Sequence, residues 1–261
     1  ELQTLMTEFI DKVDGEEAGV IRPYKRVHKP MLDLTPLQRI IIQAETDRMN
    51  GAFSKNEDSE NTGKNKGETL VAMNNMRLAT LSPSLIDPKF FKDYEQYEGW
   101  KAPKVQDVVQ ESPKLKFVCD TTVIQYNKRP KEGQVIYMPR GTESFKHVKD
   151  YLVSKGIPEN AIAFMDGKTT PDKKEAITAD FNDPDSKIKV IIGSETIKEG
   201  VNLNGNTTTI YNTMLGWNPT ETTQVEGRIW RQGNKQGVTH IVYPLMNDSI
   251  DAMMYQKYDE K

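Results

Sequence analysis

Lys189-Val190-Ile191-Ile192-Gly193-Ser194-Glu195-Thr196-Ile197-Lys198-Glu199-Gly200-Val201-Asn202-Leu203-Asn204 opens on a short β-branched run and continues into hydroxyls, glycines and asparagines. A run of that kind bounded by turn residues reads as a buried strand leaving its sheet through a loop. The same signature recurs on both sides of it. Upstream, Val135 to Met138 reads as a strand followed by a helix from about Glu143 to Lys155. Ala161 to Met165 reads as the next strand, and Pro171 suits the first turn of a helix running to about Asn182. Downstream, Thr208 to Tyr211 is a fourth strand, a helix follows Pro219, and Val238 to Pro244 is a fifth. Ser249 to Tyr258 carries Ile250, Met253 and Met254 at helical spacing and closes the series. Strands alternating with helices specify βα units and a mostly parallel sheet.

The first 130 residues differ, with helical periodicity and few strand signals. Leu2 to Val13 and Pro36 to Met49 have apolar residues three and four apart, and Thr35-Pro36 supplies a cap and a first helical residue. Tyr24 to Leu34 reads as extended. Gly51 to Glu68, rich in Ser, Asn, Gly, Lys and Glu, reads as a mobile surface loop. Helices are expected over Leu70 to Ala79 and from Ser112 to about Tyr126. The expected organisation is a mainly helical region over 1–111 and an α/β domain over 112–261.

With 36% hydrophobic and 28% charged residues, composition is that of an ordinary soluble globular chain. No apolar run approaches a membrane span and no signal-peptide pattern opens the sequence, so an intracellular, cytoplasmic protein with no membrane partner is expected. Cys119 is the only cysteine, which excludes an internal disulfide and any Cys-clustered zinc site. His28, His147 and His240 are scattered, so no protein-ligated metal site is expected. The net charge of −3 argues against a generic basic coat for nucleic acid but leaves room for a local cationic groove.

Ligands of open α/β sheets sit beyond the carboxyl ends of the strands, so the loops after the strands are where chemistry is sought. In the opening stretch, small residues and hydroxyls would let the backbone approach a phosphate, and Gly200 tolerates a left-handed turn. A plain turn with a polar helix cap would look the same. Further on come Trp217-Asn218-Pro219 and Gln224-Val225-Glu226-Gly227-Arg228-Ile229-Trp230-Arg231-Gln232-Gly233. Arg228 and Arg231 are three apart, so on a helix they would share a face. Paired guanidiniums suit the spread charge of a transferring phosphoryl group. Two surface arginines in salt bridges are the structural alternative.

The order of these segments resembles motifs V and VI of superfamily 2 helicases, and most closely the Swi/Snf branch that includes the bacterial RNA polymerase-associated ATPase. That branch has T/S-E-x-x-x-E-G-x-N-L, then W-N-P, then Q-x-x-G-R-x-x-R-x-G. Ser194, Glu195, Glu199, Gly200, Asn202, Leu203, Trp217, Asn218, Pro219, Gln224, Gly227, Arg228, Arg231 and Gly233 fall in register without a gap. Ser112-Pro113-Lys114-Leu115 resembles the entry to the second lobe, and Asp166 to Thr170 resembles the D-G-S/T-x-S loop set against DNA. The sequence departs from the family at Val225, where arginine is frequent, at Trp230, where histidine is usual, and at Asn234, where glutamine is.

The resemblance implies a RecA-like (P-loop NTPase-like) parallel sheet flanked by helices, with an N-terminal helical extension. It implies that Arg231 acts as an arginine finger with Arg228 assisting, that Gly200 and Asn202 border the nucleotide, and that Gln224 organises the start of the motif VI helix. It implies that Ser194, Lys168 and Thr169 meet DNA phosphates. Such contacts position a backbone without reading sequence. For Trp217 and Trp230, packing in the core or against a lobe is favoured over base stacking.

Neither G-x-x-x-x-G-K-[ST] nor an acidic D-E-x-x magnesium element occurs in the 261 residues. The expectation is half of an ATP site, with ATP and Mg2+ held by a first RecA-like lobe elsewhere in the parent and with duplex DNA as partner. A bacterial or phage-related source fits that resemblance. The competing expectation is a non-hydrolysing module that keeps the fold and docks nucleic acid or a partner.

Overall fold

The computed structural model describes residues 19–54, 62–93 and 103–259. Among the described residues the strands are β1 (Tyr24–His28), β2 (Met31–Leu32), β3 (Gly133–Tyr137), β4 (Ile162–Met165), β5 (Val190–Gly193), β6 (Thr207–Asn212), β7 (Val238–Val242) and β8 (Leu245–Met246). The helices are α1 (Pro36–Ser54), α2 (Thr62–Leu81), α3 (Pro88–Asp93), α4 (Pro113–Lys128), α5 (Phe145–Ser154), α6 (Pro171–Asn182), α7 (Pro219–Glu226) and α8 (Ile250–Asp259). Six strands form one sheet in the order β1-β7-β6-β3-β5-β4, every neighbouring pair parallel, and β2 pairs with β8 beside it.

Alternation along the strands feeds two cores. On β3, Val135 and Tyr137 point into one and Ile136 into the other; on β5, Ile191 opposes Val190 and Ile192. The first core is closed by Phe181 of α6, Val225 of α7, Met254 and Tyr255 of α8, and Met76 of α2. The second is closed by Leu115, Val118 and Cys119 of α4 and by Phe145, Val148 and Leu152 of α5. A sheet covered on both faces is what the near-continuous apolar strands of the sequence require.

Two expectations are corrected. The extended stretch from Tyr24 contributes β1, an edge strand of the main sheet, so the sheet and its core cross position 111. Its burial pattern is almost wholly exposed, which removes the apolar alternation that betrays a half-buried strand. The expected loop 51–68 is also much shorter. Residues 51–54 end α1 and residues 62–68 begin α2, leaving 55–61 outside the described residues. Extending a helix that is already nucleated costs little per residue, which offsets the poor propensity of Gly and Asn. The expected helix Leu2 to Val13 also lies outside the described residues.

Caps set the other boundaries. Thr35 and Gln38 make a reciprocal capping box at the start of α1, with Gln38 N–H donating to Thr35 Oγ1 at 3.2 Å and Thr35 N–H to Gln38 Oε1 at 2.9 Å. Ser112 caps α4, accepting from Leu115 N–H at 2.9 Å while its hydroxyl donates to the Leu81 carbonyl at the end of α2. Because Ser112 is fully buried, Ser112→Ala orphans both groups. It should lower stability by about 1–2 kcal/mol, read as a shift in urea midpoint at constant m-value.

Candidate nucleotide and nucleic-acid interface

β5 and β6 flank β3 and all run the same way. The connection between β5 and β6 must therefore travel from the carboxyl edge of the sheet to its amino edge. It does so over the first core, to which it contributes Ile197, Val201 and Leu203. Ser194 stands at the carboxyl end of this path and Asn202 lies well along it, so the expected DNA and nucleotide residues are spread along the crossing.

At the carboxyl edge, the loops after β4 and β5 lie side by side. Ser194 N–H donates to the Met165 carbonyl at 2.8 Å. Ser194 caps the turn Glu195–Lys198 and its Oγ is 3.0 Å from Thr196 Oγ1. Thr196 in turn donates to the Met165 carbonyl. In the neighbouring loop, Asp166 Oδ1 accepts from Lys168 N–H at 2.9 Å and from Thr169 Oγ1 at 3.1 Å, and Thr169 Oγ1 accepts from Asp166 N–H at 3.0 Å. Ser194 is buried, Thr169 is half-buried and Lys168 is exposed. The aspartate folds the loop so that the lysine stands at its tip.

Farther along, the crossing is fastened to the turns that follow α7. That helix starts at Pro219 under an Asn218 cap whose Oδ1 accepts from Thr220 N–H, and it ends at Glu226. Arg228 and Arg231 therefore lie beyond it, in turns, and share no helical face; Gln224 sits exposed in its last turn rather than at the start of a helix. The two guanidiniums do different things. Arg228 turns inward, donating through Nη1 to the Val201 carbonyl at 3.2 Å and through Nη2 to the Lys198 carbonyl. Its Nε is buried with no partner. Burial, reinforced by the Arg231 charge and opposed by Glu199, holds its pKa below the usual guanidinium value. Arg231 turns outward, exposed, with Nη1 donating to Asn202 Oδ1 at 2.6 Å.

Neutral amides complete the fastening. Leu203 N–H donates to the Arg228 carbonyl, Asn204 Nδ2 to the Gln232 carbonyl at 2.8 Å, and Asn234 Nδ2 to both Ile229 and Thr207 carbonyls. Asn182, the last residue of α6, holds the Asn202 carbonyl at 2.7 Å and the Gly205 N–H at 2.8 Å. Gly200 adopts a left-handed φ of 71° with open space where a Cβ would stand, so the backbone there is approachable. Asn182 and Glu226 went unread in the sequence. A polar residue closing a helix and a glutamate beside a glycine carry no signal of their own.

Of the two tryptophans in these motifs, Trp217 is 48% exposed with the Arg77 guanidinium 4.5 Å from its ring centre, and Arg77 also donates to the Leu215 carbonyl. Trp230 is half-buried and packs against the chain entering β1. Among the described residues no group of three or more His, Cys, Asp or Glu could hold a metal ion, and no helix is long and apolar enough to cross a membrane.

Residues 113–233 match the family of the helicase conserved C-terminal domain. The SNF2 domain-containing protein CLASSY 3 of Arabidopsis thaliana is 24% identical over 99% of this chain and 19% of its own length. The DNA repair and recombination protein RAD54B of Homo sapiens is 27% identical over 58% of this chain and 16% of its own. The chain thus spans less than a fifth of these curated relatives. Among solved structures, the C-terminal part of the Fun30 ATPase domain superposes with a TM-score of 0.68 at 16% identity, covering 90% of this chain and 88% of that one. The Sulfolobus solfataricus SWI2/SNF2 ATPase core, solved in complex with dsDNA, gives 0.62 at 18% identity over 100% of this chain and 49% of that one. The parallel sheet thus has the fold of these SWI2/SNF2 ATPase structures, and within it residues 113–233 are similar to the helicase conserved C-terminal domain.

Proposed function

We propose that this chain is the second motor lobe of an ATP-dependent DNA translocase, supplying an arginine finger to a nucleotide held mainly by a first lobe. The carrying observation is the division of labour between the two arginines. Arg228 braces the crossing loop at Lys198 and Val201, while Arg231 stands exposed and oriented by Asn202. An exposed guanidinium oriented by Asn202, on a loop whose backbone is open at Gly200, fits a phosphate delivered by another lobe better than a nucleotide enclosed by this one. ATP with Mg2+ bound by that lobe supplies the phosphoryl transfer that drives the cycle. Arg231 meets the charge that develops on the transferring group, Gly200 and Asn202 border it, and Gln224 lies on the helix leading into the arginine turns.

Lys168, at the tip of the Asp166 loop, meets the DNA backbone, with Thr169 and Ser194 beside it on neighbouring strand ends. The duplex in the solved Sulfolobus relative supports DNA as the partner. One ammonium on a phosphate is a sequence-independent, salt-sensitive contact. Lys168→Ala should weaken duplex binding about equally for all sequences and reduce the salt slope by about one. A titration at several salt concentrations reads both, and an unchanged slope removes Lys168 from the interface.

The proposal is tested by joining the chain to its native upstream sequence and measuring ATP hydrolysis with and without duplex DNA. DNA-stimulated turnover is expected. Absence of turnover with any nucleic acid would instead mean a binding module that keeps the fold.

A further inference from the structure

We infer that Trp230 latches the chain entering β1 onto the turn that carries Arg231, making Trp230, with Arg22, a positioning element for that arginine; the inference rests on the motor reading above. Residues Arg22 to Lys25 bracket the arginine turn at three points. Ahead of the turn, Lys25 Nζ pairs with buried Glu226 at 3.1 Å. Within it, Trp230 Nε1 donates to the Pro23 carbonyl at 2.9 Å, across 207 positions of sequence. After it, Tyr24 N–H donates to the Gly237 carbonyl at 3.0 Å. The indole is also covered by two cations, Arg22 at 4.8 Å and Lys25 at 4.4 Å from the ring centre.

Two features make this more than packing. Glu226 is itself a hub: its carboxylate also accepts from Tyr243 and from Tyr258 at 2.8 Å, so Lys25 ties β1 to β7 and α8 through the residue that ends α7. Trp230 is covalently next to Arg231, and the Arg231 N–H donates to the Ile229 carbonyl, so tilting the indole turns the backbone that aims the finger. The opposite end of the latch is the chain on its way into β1 from residues upstream of Tyr24. A displacement of that chain is therefore delivered to the middle of the arginine turn through the indole. A tryptophan offers the ring face and the N–H together, which the histidine usual in the resembled family provides less well for a cation.

Arg22 makes the clean probe, because it is exposed and remote in sequence from the arginine turn. In the chain itself, Arg22→Gln should raise amide hydrogen exchange between Gly227 and Asn234 about two- to fivefold, the equivalent of one cation–π contact. Exchange in α5 should not change. Trp230→Phe, which keeps a ring under the cations and loses the Pro23 bond, should raise it by a similar factor, and Trp230→Ala by about tenfold or more. If Arg22→Gln leaves the 227–234 amides unchanged, Trp230 is only a packing residue and the inference fails.

In the chain joined to its upstream sequence, Arg22→Gln should lower kcat for ATP about two- to fivefold with KM unchanged. Unchanged kcat alongside faster exchange, in a protein that Arg231→Ala inactivates, overturns the positioning role. If Arg231→Ala has no effect on turnover, the finger reading is what fails, and the exchange result alone decides the latch.

Discussion

Asp251→Ala is expected to destabilise the fold by about 3–5 kcal/mol, the cost of leaving a buried charge without its partner. Asp251 is only 5% exposed and gathers three donors: Lys114 Nζ at 2.5 Å and Met246 N–H at 3.1 Å on Oδ2, and Thr80 Oγ1 at 3.1 Å on Oδ1. Lys114, 1% exposed, otherwise reaches, among the described residues, only the Thr213 carbonyl at 3.2 Å. The pair therefore ties α8 and β8 to α2, α4 and the end of β6. Removing the carboxylate strands an ammonium that one carbonyl cannot satisfy. Lys114→Met should cost less, because the carboxylate keeps a hydroxyl and a backbone N–H. Replacing both, as Lys114→Met with Asp251→Leu, should recover much of the loss, since apolar substitutes for a buried pair are often near neutral. Urea unfolding of these proteins measures the losses, and Asp251→Leu alone, added to the set, closes the double-mutant cycle. An Asp251→Ala variant within about 1 kcal/mol of the parent would mean that the site is wet and the pair adds little.

That ion pair illustrates what sequence could and could not carry. Ser112-Pro113-Lys114-Leu115 marked a helix start, and the cap and first turn stand there, because capping is a local property of adjacent residues. The partner of Lys114, 137 positions away, left no local trace. β3 and β5 were legible for a similar reason: buried along their whole length, they carry continuous apolar runs. β1 was read only as extended, because an edge strand exposed at Tyr24, Arg26, Val27 and His28 has neither pattern.

The motif residues were legible as a series, but their directions were not. Three-residue spacing implied a shared helical face for Arg228 and Arg231. The helix stops at Glu226, and the inward turn of Arg228 depends on carbonyls that the crossing loop brings from 27 and 30 positions away. Trp230 stood out as a departure from the resembled family, yet its meaning lay in Pro23, Arg22 and Lys25, which only the closed sheet sets beside it.

Arg231→Ala, in the chain joined to its native upstream sequence, is expected to lower kcat for ATP hydrolysis by about 10³- to 10⁵-fold, the range of arginine fingers. Arg231 is exposed and its hydrogen bond is to Asn202 Oδ1, also exposed, so its removal strands no buried group and unfolding midpoints should move little. Arg228→Ala should behave in the opposite proportion. It withdraws two donors from the Lys198 and Val201 carbonyls and leaves a gap under the loop. A loss of about 1–3 kcal/mol in stability is expected, with a smaller fall in kcat that follows the loosening of Gly200 and Asn202. Steady-state ATPase and urea unfolding on both variants separate the roles. Equal kinetic losses with equal destabilisation would mean that the two arginines act as one structural unit. A kcat for Arg231→Ala within about tenfold of the parent would fall well short of the finger range and assign the stabilising charge to another residue. Lys198, which lies in the same crossing, is then the first to test.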